Sequence, residues 1–180
     1  MFQKDLTKGP VFQTMCAFAL PMILGNLLQQ GYNLVDTWVV GRFVGPGALA
    51  AVGSAFALMT FLTSVLLGLC MGSGVVFSLC FGSRNPQRLQ SSIASAFALT
   101  AALGGLLTAC ALLGVDGIIR WMNIPGEIAA MAREYLILVF WGIPAIALYN
   151  FFGAYLKALG DSVVPLLFLG LSTALNIGLD

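Results

Sequence analysis

The chain has 180 residues, of which 59% are hydrophobic and only 8% charged, where an average soluble domain carries about a quarter charged residues. That balance excludes an ordinary soluble domain and describes an all-α, polytopic membrane helix bundle. A formal net charge of +1 gives no electrostatic basis for nucleic-acid binding. Histidine is absent, so the usual proton shuttle and commonest metal ligand are missing, and proton chemistry near neutral pH falls to carboxylates with shifted pKa.

In chain order, Met1–Pro10 is a short polar lead carrying Lys4 and Lys8. The apolar run after it is too long for a signal-peptide core and ends in no small-residue cleavage site. A first helix is expected over about 11–40, with Pro21 as a kink point. GRFVGPG, Gly41 to Gly47, reads as a tight turn. A second helix over 48–81 is expected to run unbroken through Gly68–Gly74, with Ser64, Gly68 and Gly72 at four-residue spacing serving close helix packing. After the loop Gly82–Leu89, a third helix is expected over 90–115, with Asp116–Ile128 as the longest connection and Trp121 as an interfacial anchor. A fourth helix is expected over 129–157. Gly160 suits a C′ position, Asp161 an N-cap and Pro165 a first helical turn, so a fifth helix is expected over 162–180. The four cysteines, Cys16, Cys70, Cys80 and Cys110, form no CxxC pair and read as small apolar side chains. With five spans, Lys4, Lys8, Arg84, Arg88 and Lys157 fall on one side and Arg42, Arg120 and Arg133 on the other. That bias expects a cytoplasmic N-terminus and a multi-pass protein of the cell membrane.

Asp36 is the outstanding residue. No other charge lies between Gly9 and Gly41, and a carboxylate at bilayer depth costs roughly 2.5–3.5 kcal/mol on insertion scales. Asn26, Gln29, Gln30, Asn33, Asp36 and Thr37 recur at three- and four-residue spacing, within about a third of the helix circumference. Such a stripe is expected to line a watery cavity. The fifth helix repeats the pattern: Ser172, Asn176 and Asp180 follow at four-residue steps, flanked by Thr173. The fourth contributes Asn150 beside Tyr149. Carboxylates with amide oxygens can cage a small cation, and a carboxylate alone can take a proton. For Asn33, Ser172 and Thr173 the plain alternative is helix-to-helix hydrogen bonding. Trp38, Trp121 and Trp141 read as belt or packing residues, with stacking on a flat cation as the alternative.

The runs PMILGN (21–26), NLVDTWVVG (33–41), ALAAVG (48–53), LKALGDS (156–162) and LNIGLD (175–180) together resemble the N-terminal part of the multidrug and toxic compound extrusion (MATE) transporters. The resemblance covers nearly the whole chain, departing where the loop after the second helix reads Gly82-Ser83 rather than Gly-Ala. It implies a twelve-helix, two-lobe membrane protein, of which this chain would be an N-terminal fragment of about five helices, its partner being the missing remainder of its own chain. It implies export of organic, mostly cationic compounds by alternating access in exchange for H⁺ or Na⁺, no catalytic residues and no cofactor. By the same resemblance Asp36, Asn150, Asn176 and Asp180 would bind the coupling cation, the only metal site expected being one for Na⁺, with Asn26, Gln30, Asn33, Thr37 and Ser172 lining the cavity. Three other readings stand beside this one. A lipid-linked oligosaccharide flippase of the same superfamily would place basic residues in its cavity, and apart from Arg133 and Lys157 near the two ends of the fourth helix the expected spans have none. An intramembrane aspartyl protease would want Tyr-Asp and Gly-X-Gly-Asp contexts, where this chain has LVDT and IGLD. A purely structural membrane subunit leaves the stripe of the first helix unexplained.

Overall fold

The structure is a computed structural model that describes residues 10–44 and 46–179, without the side chains at 36, 40, 44, 46–51, 54, 176, 177 and 179. Its α-helices are α1 (Val11–Val39), α2 (Pro46–Gly82), α3 (Pro86–Trp121), α4 (Gly126–Ala158) and α5 (Val163–Leu179), with a π-helical turn at Val40–Val44. Val11–Phe43, Ala55–Gly82, Pro86–Trp121 and Gly126–Ala158 are long and apolar enough to cross a bilayer, and Val163–Leu175 is a shorter apolar helix. The polar lead with Lys4 and Lys8 and the terminal Asp180 lie outside the described residues.

The turns explain where the helices stop. At the end of α4, Gly160 takes φ 87° and the Gly160 and Asp161 amides donate to the carbonyls of Lys157 and Leu156 at 3.0 Å each. This is a Schellman ending with glycine at C′. Asp161 then caps α5, its Oδ1 accepting from the Val163 and Val164 amides at 3.1 and 3.0 Å. Gly160, Asp161 and Pro165 thus act as the sequence predicts.

The same device closes α2 and α3, with Arg84 (φ 53°) and Asn123 (φ 51°) at C′. The Arg84 and Asn85 amides donate to Phe81 and Cys80, and those of Asn123 and Ile124 to Arg120 and Ile119. Asn85 then caps α3 by accepting from the Arg88 amide at 3.0 Å, with Pro86 as the first helical residue. This cap starts α3 earlier than the expected residue 90. At its other end α3 continues past residue 115 because Asp116 and Arg120 are tied into the helix, Arg120 Nε donating to the Asp116 carbonyl at 3.2 Å. The predicted long connection 116–128 therefore shrinks to residues 122–125, and Trp121 ends the helix, exposed. Gly41 to Val44, expected as part of a tight turn, extend α1 as a wider π-wound turn.

The described contacts divide the chain into two compact units. One comprises residues 40–71 and 94–151, and its core is the buried stripe of α4: Ala132, Leu136, Phe140, Ile143, Ala147 and Phe151, at three- and four-residue steps. Ala55, Leu62 and Leu66 of α2 and Ala111 and Val115 of α3 pack around it. α3 and α4 run antiparallel here. Phe97 meets Phe151 edge-on at 5.4 Å, a Cβ at Gly104 would stand 3.2 Å from Ala147 Cβ, and Asp116 pairs with Arg133 at 2.8 Å. The buried Thr108 hydroxyl donates to the Gly104 carbonyl at 2.8 Å. The buried Thr100 hydroxyl lacks such a bond and has the Cys70 thiol as a polar neighbour.

The other unit comprises residues 1–39, 72–93 and 152–180. There Gly74 lies against Ala154, and Phe77 meets Tyr155 edge-on at 6.2 Å, so α2 and α4 run parallel at this end. Gly68 and Gly72, expected to be packing glycines, have nothing within 4 Å of a would-be Cβ. The buried face of α2 carries Leu62, Leu66, Cys70 and Phe77, which puts residues 64 and 68 roughly on the opposite side of the helix. The close approach belongs instead to Gly74. α2 remains one helix through this stretch, as expected. Its hydroxyls are satisfied locally, those of Thr60, Ser64 and Ser78 donating to the carbonyls of Phe56, Thr60 and Gly74.

Two outcomes follow for the purified protein. Gly104→Leu forces side chains apart and lowers thermal stability by about 1–3 kcal/mol, whereas Gly105→Leu, which opens on empty space, leaves the melting point unchanged. Asp161→Ala removes the α5 cap and costs about 1 kcal/mol in the same melting assay.

Candidate functional site

α1 is attached by one face. Among its described side chains only Gly25 is buried, and its neighbours are on α5: an added Cβ would stand 3.6 Å from both Leu166 Cδ1 and Leu169 Cδ2. The two leucines leave room here for a methyl group and for little more. α1 and α5 pack together within one unit.

The predicted stripe lies to one side of that contact. Asn26, Gln29, Gln30, Asn33 and Thr37 are all exposed in the chain as it stands. Asn33 Nδ2 donates to Gln30 Oε1 at 3.3 Å, and the Thr37 hydroxyl donates to the Asn33 carbonyl at 2.7 Å. These bonds are local to α1 and tie the stripe to no other helix. On an ideal helix, position 36 lies eleven residues beyond Gly25 and only about 20° round from it, whereas Asn33 is turned by about 80°. Position 36 is within α1 and position 176 within α5, both without a described side chain; Asp180 lies outside the described residues. Ser172 is exposed on α5.

Asn150 belongs to the other unit. It is part-buried, and its Nδ2 donates to the Ile146 carbonyl of its own helix at 2.9 Å. The structure thus brings α1 and α5 together and keeps Asn150 locally bonded on α4. What sequence reasoning missed is Gly25, the residue that seats α5. Its signal was a glycine one place before the first amide of the stripe, in the run PMILGN.

An all-helical chain with several helices long and apolar enough to cross a bilayer defines a multi-pass membrane protein, and its first helix carries amides and an acid in an otherwise apolar sequence. The MatE family model matches residues 21–180, and the chain belongs to that family. A probable multidrug resistance protein of Bacillus subtilis strain 168, YoeA, is 32% identical over 173 residues, covering 96% of this chain and 37% of its own length. The crystal structure of MATE in the straight conformation superposes with a TM-score of 0.90 at 27% identity, over 98% of this chain and 39% of that one. MATE in the bent conformation gives 0.86 at 29% identity, over 96% and 38%. The chain therefore spans about two fifths of the length of the relatives it matches.

Gly25→Phe is expected to separate α1 from α5 and cost about 1–3 kcal/mol of stability, read as a lower melting temperature. Gly31→Phe, on the same helix with nothing within 4 Å, leaves it unchanged.

Proposed function

We propose that this chain forms part of an antiporter of the cell membrane that exports organic cations by alternating access, driven by inward H⁺ or Na⁺, with Asp36 as the coupling carboxylate. The observation that carries the proposal is the seating of α1 on α5 through Gly25. Position 36 continues the Gly25 face of α1. On α5, position 176 lies seven residues beyond Leu169 and so returns to nearly the same face. A chain that crosses the membrane at each helix brings α5 back in the direction of α1. Position 36 then stands about 16 Å along the axis from Gly25, and position 176 about 11 Å from Leu169. Asp36, Asn176 and Asp180 would converge at one level of the α1–α5 seam, the side stripe of Asn26, Gln30, Asn33 and Thr37 and the Ser172 hydroxyl facing the cavity beside it.

The chemistry follows from charge. α1 and α5 contain no lysine or arginine, so nothing of fixed positive charge on these helices neutralises the carboxylates. An entering proton or sodium ion does. Neutralisation removes the desolvation penalty for closing the cavity around them and frees α1 to change its packing, with Pro21 as the bending point. Solved MATE structures are described in a straight and in a bent conformation, in keeping with a transporter that takes two states. The export of drugs is read across from a relative described as a probable multidrug resistance protein. The reaction needs no cofactor. The N-terminus is assigned to the cytoplasm on the Lys and Arg bias.

Asp36→Asn, in a transporter carrying this chain and reconstituted in liposomes with an imposed ion gradient, tests the proposal. Gradient-driven efflux of a fluorescent organic cation is expected to fall by at least about tenfold, while binding of that cation without a gradient persists. Efflux that keeps its ion dependence in the variant contradicts the assignment.

A further inference from the structure

The turn between α2 and α3 holds a groove of about 450 Å³ lined by Cys80, Phe81, Gly82, Arg84, Asn85, Pro86 and Leu89. The wall is apolar at Phe81, Pro86 and Leu89, with the Arg84 guanidinium as its charge. The sequence holds no acid between Asp36 and Asp116. Arg88 follows on the first turn of α3, and Lys157 stands in the last turn of α4, which lies beside the end of α2 through the Gly74–Ala154 and Phe77–Tyr155 contacts. The nearby acid of the α4–α5 turn, Asp161, is buried and already accepts from the Val163 and Val164 amides. This end of the unit therefore carries positive charge over an apolar groove.

Arg84 is also an unusual choice for its position. The three Schellman turns have Arg84, Asn123 and Gly160 at C′. Glycine and asparagine enter the left-handed region readily, and arginine does so at a steric cost. The backbone gains nothing from arginine here, so its side chain is the feature to explain.

We propose that this groove binds an anionic phospholipid, with the lipid phosphate on Arg84 and the glycerol and first acyl methylenes against Phe81, Pro86 and Leu89. The groove sits where the apolar span of α2 ends, which is headgroup level. A guanidinium pairs with phosphate through two parallel hydrogen bonds. Arg88 and Lys157 add long-range attraction to the same surface. This site is separate from the α1–α5 seam and does not depend on the coupling scheme.

The test is titration of the detergent-purified protein with fluorescent phosphatidylglycerol and phosphatidylcholine. Phosphatidylglycerol is expected to bind at least about tenfold more tightly. Arg84→Asn keeps a residue suited to the left-handed backbone and removes the charge, and Arg84→Gly relaxes the turn outright; both are expected to abolish the preference, while Arg84→Lys, which keeps the charge and loses the paired hydrogen bonds, retains part of it. Equal affinity for the two lipids overturns the proposal. So does a preference that survives both neutral variants, or displacement of the lipid by millimolar inorganic phosphate, which would make the ligand a free anion.

Discussion

The seating of α5 on α1 at Gly25 is the contact on which the functional reading depends. Among the described side chains it is the one buried position of α1, so it marks the side of the helix that meets α5, while the described amides stay exposed. A methyl group would fit at ordinary contact distance from Leu166 and Leu169. A larger side chain would lever the helices apart. The placement of position 36 follows from phase: eleven residues carry the helix round three turns to nearly the same face. By that count position 36 lies on the face of the packing seam, and the amide-bearing positions flank it.

The second constraint is the disposal of polar groups. In apolar surroundings each unpaired donor or acceptor is costly, and this chain pairs most of those described within a turn of helix. Thr60, Ser64, Ser78, Thr108 and Asn150 all donate to the carbonyl four residues back. Asn85 and Asp161 spend their oxygens on helix caps. Asp116 and Arg133 neutralise one another where α3 and α4 approach. Against that background α1 is exceptional. Asn26, Gln29 and Gln30 add further polar groups along one exposed strip of a single helix, and its acid has no basic residue on the same helix.

Much of the fold was legible because local chemistry dictates it. The number and type of helices follow from apolar length, and the α4–α5 turn follows from Gly160 and Asp161, whose roles need no distant partner. The start of α3 was less legible because Arg84 and Arg88 disguise a helix cap that Asn85 and Pro86 announce. Its end is hidden in the sequence because Asp116 and Arg120 look like loop residues until their bonds to Arg133 and to the helix backbone are known. The packing glycines could not be told apart by spacing. Gly68 and Gly72 match the small-residue pattern yet face open space, while Gly25, Gly74 and Gly104 meet α5 and α4. Which glycine faces a neighbour is a property of the whole packing arrangement. For the candidate site, the stripe on α1 was legible from periodicity, and the coupling role proposed for its acid comes from the family resemblance. The seam that gives the stripe a direction was not.

Disulfide trapping across the α1–α5 seam tests this account most directly. Tyr32, seven residues beyond Gly25, shares its face and its approximate level with position 176 when the helices run in the same direction. With the four native cysteines replaced by alanine, Tyr32→Cys combined with Asn176→Cys is expected to oxidise readily to a disulfide. Leu34→Cys, on the opposite face of α1, combined with Asn176→Cys is not. A bond formed instead between Tyr32→Cys and Val163→Cys would mean that the helices run in opposite directions, placing Asp36 far from Asn176 and contradicting the shared cation site.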